Sequence, residues 1–394
     1  MTWGEVKVVE QRKKFCEAIL NEKLSMSEAC RQFEISRPTG YLWLKRYQTE
    51  GVNGLENLSS ARLTQHNQTP REIIKEILDL KHEHSSWGPK KIHGELKNNN
   101  PLKIYPGTTA IGNILSRNGL TKKRKVRRRV AEKTSPLTLA NGSNDVWCMD
   151  FKGWHLTKDS HKFDPFTLTD QYSRFLLRAL KLELNTTEHV WAVLDIAFRE
   201  YGLPLIIRSD NGAPFASTAP GRFSALSVRL VKAGVMPEWI EPGKPNQNGQ
   251  HERMHLTMEK EGFLPNSFLH DQILHLKKFR EYFNFRRPHE ALGQVTPGSI
   301  YVPSIRPWNG RLQEMEYSSE YQMGKVRSCG KMAWKGSQVY VSPVFHGEIL
   351  GIKEGADGFE VYFGPYLLGR LINGTELEVK RRPGRIKYKK LIGI

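Results

Sequence analysis

Three widely separated acidic residues, Asp150, Asp210 and Glu252, have the side chains that metal-assisted phosphoryl transfer requires. This reaction needs a nucleophile in line with its leaving group and compensation for the negative charge on the phosphorus oxygens, and two divalent cations can supply both. Hard cations such as Mg²⁺ take oxygen ligands, so three carboxylates that converge in space are sufficient. We therefore expect the three acids to meet and to bind divalent cations.

Each acid lies on an element that can hold it rigidly. Asp150 belongs to the apolar stretch VWCMDF, where period-two alternation places Val146, Cys148 and Asp150 on one face of a strand. Asp210 follows the strand LIIRS, at the carboxyl end where α/β sheets bind ligands, and the Asn-Gly pair behind it can form a tight turn. Glu252 lies in the first turn of a helix that follows a Gly-, Pro- and Asn-rich loop.

Each acid also has a simpler interpretation. Asp150 could pair with a buried cation, Asp210 could be an ordinary turn residue, and Glu252 could only favour the helix N-terminus. Glu259, two turns further along the same helix, is an alternative third ligand. On the opposite side of this helix, the two methionines of HERMHLTM have the spacing of residues that pack inward.

The composition indicates a partner of opposite charge. The chain has 394 residues, 38% of them hydrophobic, and a formal net charge of +19, which is typical of proteins that bind a polyanion. Its four cysteines are scattered and form no CxxC pair, which argues for a reducing compartment and against a cysteine-based zinc site. No apolar run is long enough for a bilayer. We expect an intracellular, cytoplasmic protein whose partner is an acidic polymer, such as the double-stranded DNA of the nucleoid.

Residues 1–60 have the pattern of a helix-turn-helix domain. Ser27 is the expected N-cap of one short helix, and the next helix begins after Ser36 and carries Leu42, Leu44 and Tyr47 toward the core. An ordinary helical hairpin is the alternative. If the second helix enters a major groove, the residues expected to contact DNA are Ser36, Arg37, Thr39, Lys45 and Arg46.

The remaining segments divide the chain further. Residues 61–120 form a second helical domain, which is either another helix-turn-helix unit or a packing module. Residues 121–140 are a basic linker that either is only solvated or follows DNA phosphates. Residues 141–305 mix strands and helices as an α/β core, and 306–394 alternate as a small β-barrel with a basic tail. The linker residues expected to contact phosphates are Lys122, Lys123, Arg124, Arg127, Arg128 and Arg129.

Several motifs of the core resemble those of DDE transposases of the retroviral-integrase superfamily, in the bacterial insertion-sequence branch. They are WCMDFKG, SDNGAPF, PGKPNQNGQHERMHLTMEKE and the closing segment YFNFRRPHEALGQVTPGSIY. The resemblance implies a ribonuclease H-like core and two Mg²⁺ or Mn²⁺ ions. It assigns Asp150, Asp210 and Glu252 as catalytic metal ligands. The spacing between Asp210 and Glu252 is longer than is common in that family, and the histidine–cysteine zinc module of retroviral integrases is absent.

The motif around Glu252 is expected to position DNA. Polar and basic side chains surround this acid, and such groups set the position of a DNA backbone without reading its sequence. Asp170 in LTDQYSR also resembles the family pattern, but we interpret it as structural. The residues near Glu252 expected to contact phosphates or sugars are Lys244, Asn246, Asn248, Gln250, His251 and Arg253.

The sequence therefore predicts a transposase that binds the ends of a mobile DNA element, cleaves DNA and joins strands, acting at least as a dimer. Two alternatives remain open at this point. One is a DNA-binding protein with an inactive or repurposed core, and the other is a metal-dependent nuclease that does not join strands.

Overall fold

The structure, a computed structural model, describes residues 8–21, 23–58, 68–121, 137–356, 358–372 and 376–379. The chain divides into two compact units, Met1–Thr69 and Pro70–Ile394. None of the helices in these described ranges is long and apolar enough to cross a membrane.

The first unit is a bundle of three helices, α1 (Val8–Leu20), α2 (Met26–Gln32) and α3 (Arg37–Glu50). Gly40 lets α3 approach its neighbours closely, because a Cβ atom there would lie 2.7 Å from Cys30 Sγ and 2.9 Å from Phe15 Cζ. The buried side chains at the centre of this bundle are Phe15, Cys16, Ala29, Cys30 and Leu55.

Two details of this unit correct the sequence prediction. The N-cap of α2 is Ser25, not Ser27, because Ser25 forms a reciprocal capping box with Glu28. Leu42 is 52% exposed rather than buried, whereas Leu44 and Tyr47 pack against the core as expected.

The second unit begins with three helices, α4 (Arg71–Glu83), α5 (Pro89–Asn99) and α6 (Thr108–Arg117). They enclose a small core that includes Ile77 and Ile92. Trp87 of this module stacks with His84, and both rings stack on Tyr282 of the central region. The helical module therefore packs against the central region, which was one of its two expected roles.

The central region is built on a five-stranded sheet with the strand order β5-β4-β1-β6-β7. β1 pairs antiparallel with β4 and parallel with β6, and a short hairpin of β2 and β3 follows β1. The strands are β1 (Val146–Phe151), β2 (His155–Leu156), β3 (Lys162–Phe163), β4 (Pro165–Asp170), β5 (Leu176–Lys181), β6 (Ile206–Ser209) and β7 (Met236–Trp239).

Helices cover the sheet, as expected for a ribonuclease H-like core. Trp147 and Met149 alternate along β1 and pack in one hydrophobic cluster with side chains of α7 and α8. Leu176 and Ala179 of β5 pack in a second cluster with side chains of α9 and α10. The last turn of α9 continues as a π-helical segment, Met258–Gly262. The helices are α7 (Thr187–Tyr201), α8 (Ala225–Lys232), α9 (Gly249–Thr257) and α10 (Leu269–Phe285).

The C-terminal region is all β, as predicted, in two sheets with the orders β14-β13-β12-β11-β8 and β10-β9. Its core also takes in Phe223 and Val228 of the central region. No strand pairing closes either sheet in the part of the chain that is described, so the barrel is not confirmed. The strands are β8 (Gln322–Lys325), β9 (Lys331–Trp334), β10 (Ser337–Tyr340), β11 (Ile349–Gly355), β12 (Gly358–Phe363), β13 (Tyr366–Ile372) and β14 (Glu376–Glu378).

Candidate active site

Asp150 lies on β1, and Asp210 directly follows the neighbouring parallel strand β6. β1 and β6 pair in a register that joins Val146 to Ile206 and Cys148 to Arg208. Continuing this register by two residues brings Asp150 opposite Asp210, on strands about 4.8 Å apart. Residues opposite each other in a parallel pair point to the same side of the sheet, so we infer that the two carboxylates face the same edge.

The turn after β6 holds the Asp210 carboxylate at the surface. The backbone N–H of Gly212 donates to Asp210 Oδ1 at 3.0 Å, and a Cβ atom on Gly212 would lie only 3.2 Å from Oδ2. Asn211 fixes the turn, because its Nδ2 donates to Ile240 O at 2.7 Å while its Oδ1 accepts from Arg222 at 2.8 Å. The Asn-Gly pair thus has the role that the sequence predicted.

The pKa of Asp150 shows that other acids lie near it. Its pKa is raised from 3.8 to about 7, first by burial and then by the negative charge of Asp210, with further contributions from Glu252 and Asp164. Glu252 is half-buried in the first turn of α9. The fold therefore gathers negative charge around Asp150. It does not by itself establish that the three acids share a cation, which remains a prediction.

Two histidines of α9 also lie close to Asp150. Among the residues that the structure describes, Asp150, His251 and His255 form the one set of three His, Cys, Asp or Glu side chains whose ligand atoms all lie within 4.8 Å of one another. His251 is 1% exposed and His255 is 7% exposed. Burial lowers the pKa of His251 far below its usual value and that of His255 to about 4, so both rings are neutral near pH 7.

A threonine on β4 binds both rings. Thr167 Oγ1 lies 2.8 Å from His251 Nε2, 2.8 Å from His255 Nε2 and 3.0 Å from the carbonyl oxygen of Asp150. The Thr167 hydroxyl can donate only one hydrogen bond, and the carbonyl oxygen of Asp150 can only accept one. Thr167 therefore donates to Asp150 O and accepts hydrogen bonds from the Nε2–H groups of both histidines. His251 Nδ1 then accepts from Thr169 Oγ1 at 2.8 Å. These bonds hold α9, and with it Glu252, against the strands that carry Asp150 and Thr167.

This network corrects the prediction that His251 contacts DNA, since both of its ring nitrogens already have partners inside the protein. Asn248 is also buried, at 5% exposure, which is incompatible with the expected phosphate contact. Gln250 and Arg253 are exposed at the start of α9, and Lys244 is half-buried and paired with Glu241. The side chain of Asn246 lies outside the described structure.

Glu259, the alternative third ligand, has a different partner. Lys152 Nζ lies 2.8 Å from Glu259 Oε1, and this hydrogen bond is the main cause that lowers the pKa of Glu259. Its negative charge is therefore balanced by a cation of the protein itself, which favours Glu252 as the third acid.

Asp170 has the structural role that we expected. Its side chain is completely buried and accepts hydrogen bonds from the backbone N–H groups of Asn144 and Ser173, each at 2.8 Å. It also accepts from the Ser173 hydroxyl at 2.6 Å. Asp170 thus closes the turn between β4 and β5.

Sequence reasoning missed the residues that support the acids from β4. Thr167 and Thr169 are separated by one residue in FTLTD, and period-two alternation would have placed both hydroxyls on one face. Asp164, whose charge raises the pKa of Asp150, precedes the same strand. These residues were overlooked because threonine is common in strands and has no chemical signature of its own.

The first unit shows how the expected DNA-contacting residues are placed. Arg37 and Lys45 are exposed on α3. Ser36 and Thr39 bond to each other at the start of the helix, with their hydroxyl oxygens 2.8 Å apart. Arg46 lies 4.8 Å from the ring of Trp43. All six expected linker residues, within 122–129, lie outside the described structure.

Comparisons with known families identify two kinds of domain. Residues 140–245 and residues 233–297 each match the integrase core domain. Residues 11–62 match a helix-turn-helix domain, and residues 39–115 match a homeodomain-like domain.

Two relatives come from insertion elements. The chain is 24% identical over 236 residues to an uncharacterized 31.7 kDa protein of insertion element IS407 from Burkholderia multivorans, covering 58% of this chain and 80% of that protein. It is 26% identical over 230 residues to an uncharacterized 39.2 kDa protein of insertion element IS476 from Xanthomonas euvesicatoria, covering 57% of this chain. The match spans 63% of the IS476 protein, which is less than two thirds of its length.

Solved structures of viral integrases show a weak similarity. The HTLV-2 integrase catalytic core domain in complex with magnesium has a TM-score of 0.33 and 17% identity, covering 42% of this chain and all of that one. The simian T-cell lymphotropic virus intasome has a TM-score of 0.37 and 15% identity, covering 73% of this chain. At TM-scores this low, the similarity does not bear on the chemistry of this chain.

The domain matches and the insertion-element relatives confirm the resemblance that the motifs predicted. Parts of the chain match the integrase core domain and helix-turn-helix domains, and the chain resembles DDE transposases of the integrase superfamily.

Proposed function

We propose that this chain is a transposase that binds the ends of a mobile DNA element, cleaves DNA there and joins the freed ends to a target. The observation that supports this proposal most is that Asp150 lies on β1 while Asp210 directly follows β6, the parallel neighbour of β1. The helix that carries Glu252 is held against the same part of the sheet by the bonds of Thr167.

The donor set fits a divalent metal. Asp150, Asp210 and Glu252 offer oxygen atoms only, which suits Mg²⁺ or Mn²⁺, and we propose that two ions bind there. Burial and the negative charge of Asp210 raise the pKa of Asp150 to about 7, and a bound divalent cation would favour its ionised form. When bound, the metal supplies charge compensation at the phosphate and lowers the pKa of the attacking oxygen.

The proposed chemistry has two transfers. In the first, the oxygen of a water molecule forms a bond to phosphorus, the bond from phosphorus to the 3′ oxygen breaks, and that oxygen leaves as a 3′-hydroxyl. In the second, this 3′-hydroxyl oxygen attacks a phosphodiester of the target and releases a new 3′-hydroxyl there. The protein contributes the rigid positions of its three acids, which fix where the reacting phosphate can lie.

Positive charge outside the acids would hold the DNA. The net charge of +19 favours a polyanion, and Gln250 and Arg253 are exposed next to Glu252, where they can contact a phosphate backbone. Arg37 and Lys45 are exposed on α3, the helix that we propose enters a major groove. We propose that the protein acts on the nucleoid as at least a dimer, because two element ends must be joined.

The roles of the other regions are part of the same proposal. We retain the boundaries 1–60, 61–120, 121–140, 141–305 and 306–394 as functional divisions of the chain. We propose that the C-terminal β region is a small barrel that contacts DNA or a second subunit.

Replacing one acid tests the proposal. We expect Asp210→Asn to abolish cleavage and joining of labelled DNA that carries the inverted repeats flanking the gene, while binding to that DNA changes less than threefold, because the amide keeps the shape but loses the charge that holds metal. The matched control is Asp271→Asn, an exposed aspartate of α10, which should keep full activity.

Other results of these assays would contradict the assignment of the acids or support one of the two alternative functions. Strand joining by the Asp210→Asn protein would overturn the assignment of the acids. Cleavage by the native protein without any joined product would indicate a nuclease, and specific binding without cleavage would indicate a repurposed DNA-binding protein.

A further inference from the structure

A cavity of about 360 Å³ opens beside the candidate active site. One wall is the β2–β3 hairpin, which contributes His155 and Leu156. The opposite wall is the π-helical segment after α9 and the loop that follows it, which contribute Lys260 and Phe263. Single π-helical turns within helices are found frequently at functional sites.

Exposed aromatic rings, each with a lysine over it, lie next to this cavity. Lys162 Nζ is 4.9 Å from the ring of Trp154, which is 59% exposed and directly precedes β2. Lys158 Nζ is 4.8 Å from the ring of Phe268, which is 49% exposed and follows the cavity-lining Ser267. Large rings exposed in pairs with basic side chains are the arrangement that binds unpaired bases and their phosphates.

The cavity walls are fixed by hydrogen bonds. The backbone N–H of Lys158 donates to Ser267 O at 2.9 Å, which ties the hairpin to the loop after the π-helical segment. The backbone N–H of Leu269 donates to Asp159 Oδ1 at 3.1 Å. At the base, the ring centroids of His155 and Phe263 are 4.7 Å apart. The surface is therefore built before any ligand arrives.

The cavity is connected directly to the acids. Glu259 lines it, and Lys152, which pairs with Glu259 at 2.8 Å, is two residues after Asp150. The π-helical segment continues α9, whose first turn carries Glu252. A DNA strand with a phosphate at the acids would have its next nucleotides within reach of this surface.

The charges around the cavity favour a polyanion. Of its acidic neighbours, Glu259 is paired with Lys152, and Asp159 accepts from Thr157 and from the backbone of Leu269. The cations around it are Lys158, Lys162 and Lys260.

We propose that Trp154, Phe268 and the cavity next to them form a binding surface for the unpaired nucleotides of a DNA strand whose neighbouring phosphate lies at the acids. This inference rests on the proposed function and deepens it. The bases stack on the exposed rings and enter the cavity, while Lys158, Lys162 and Lys260 contact the phosphates.

Binding without metal tests this surface separately from catalysis. Fluorescence anisotropy in EDTA would compare a blunt DNA duplex with the same duplex bearing a short unpaired extension. We expect the native protein to prefer the extended duplex, and the Trp154→Ala/Phe268→Ala protein to lose this preference roughly tenfold while binding the blunt duplex as before. Tyr172→Ala, which removes another exposed ring of the central region, is the matched control and should keep the preference.

The other outcomes are equally clear. If the double variant keeps the preference of the native protein, the surface does not bind nucleotides. If it keeps the preference but sediments as a smaller species, the rings form a contact between copies of the chain, and the proposal is wrong. If the preference for the extended duplex depends on Trp154 although the native protein never joins strands, the nucleotide-binding surface is supported and the transposase assignment is wrong.

Discussion

Asp150 is the residue of the candidate site whose ionised form is disfavoured by its surroundings. It is a carboxylate within a strand, partly buried and close to other acids, and its pKa of about 7 is far above the value of 3.8 for a free side chain. Burial and like charge both disfavour the ionised form. A side chain in this state destabilises the folded protein near neutral pH unless a cation binds.

Asp150→Asn should therefore change how stability depends on pH. In metal-free native protein, the folded state holds the proton of Asp150 more tightly than the unfolded state does. The stability that protonated Asp150 contributes is therefore fully present below about pH 4 and is lost as pH rises through about 7. The asparagine variant lacks this loss, so its free energy of unfolding should exceed that of the native protein by on the order of 2–4 kcal/mol at pH 8. Denaturant unfolding at pH 4 and pH 8 measures the difference.

Magnesium supplies the control for this experiment. At pH 8 it should raise the melting temperature of the native protein and leave that of the Asp150→Asn variant nearly unchanged, because ligand binding stabilises only the state that binds it. Parallel pH profiles for the two proteins would mean that Asp150 is not held in the environment described here.

Single residues also show where sequence reasoning reached its limit. Met254 and Met258 pack inward as their spacing indicated, and Asp170 is structural. His251 was misjudged because its neighbours in NGQHER are polar, and a pattern of neighbours does not reveal that two threonines from another element surround the ring. Ser27 was placed as a cap because the reciprocal bond between Ser25 and Glu28 was not recognised.

At the level of elements, the helical module of α4–α6 depends on contacts that are remote in sequence. Glu261, at the end of the π-helical segment, accepts from Arg287 at 2.8 Å and from Ser86 of the module at 2.5 Å. The side chains of Glu261 and Arg287 are only 13% and 9% exposed. A second ion pair, Lys90 with Glu290, also joins the module to the central region but is largely exposed.

These two pairs make a matched test. We expect Glu261→Gln to destabilise the protein by about 2–4 kcal/mol, because it leaves the guanidinium of Arg287 buried without its counter-charge. Glu290→Gln should produce little change, since an exposed pair is screened by water. Thermal unfolding of the two variants beside the native chain measures both effects, and equal losses would contradict the role assigned to Glu261.

The order of the elements in the core could be read from the sequence, whereas their docking could not. Helix α7 ends at Tyr201 with Gly202 as its C-cap. The strands around Asp150 and Asp210 occur where alternation and apolar runs placed them. The stack of His84, Trp87 and Tyr282 was not foreseen, because no local pattern links residues so far apart. The β2–β3 hairpin was likewise not separated from the strand before it.

For the whole molecule, the division into two compact units separates two expected activities. The first unit ends at Thr69 and contains the helices that match a helix-turn-helix domain, while the acids lie in the second unit. We expect affinity for DNA of any sequence to depend on the net charge of +19. We expect recognition of particular DNA ends to depend on the first unit.

Deleting residues 1–69 should therefore remove selectivity for the inverted repeats that flank the gene, because we propose that α3 reads their base edges. Metal-dependent nicking of unrelated DNA should persist at a lower level, since the acids are retained. Affinity for unrelated duplex should still fall steeply with rising salt. Competition binding with repeat and unrelated duplexes checks the first expectation, and unchanged selectivity of the shortened chain would contradict the role of the first unit.

The hydroxyl of Thr167 has a wider consequence. With one hydrogen and three neighbours, it leaves both imidazoles a single tautomer and joins helix to sheet in a fully saturated junction. If the acids bind metal as we propose, an arriving ion would meet a helix and a sheet that these hydrogen bonds already hold together. Such a stiff cradle would discriminate among ions by their radius more sharply than a pliable loop could.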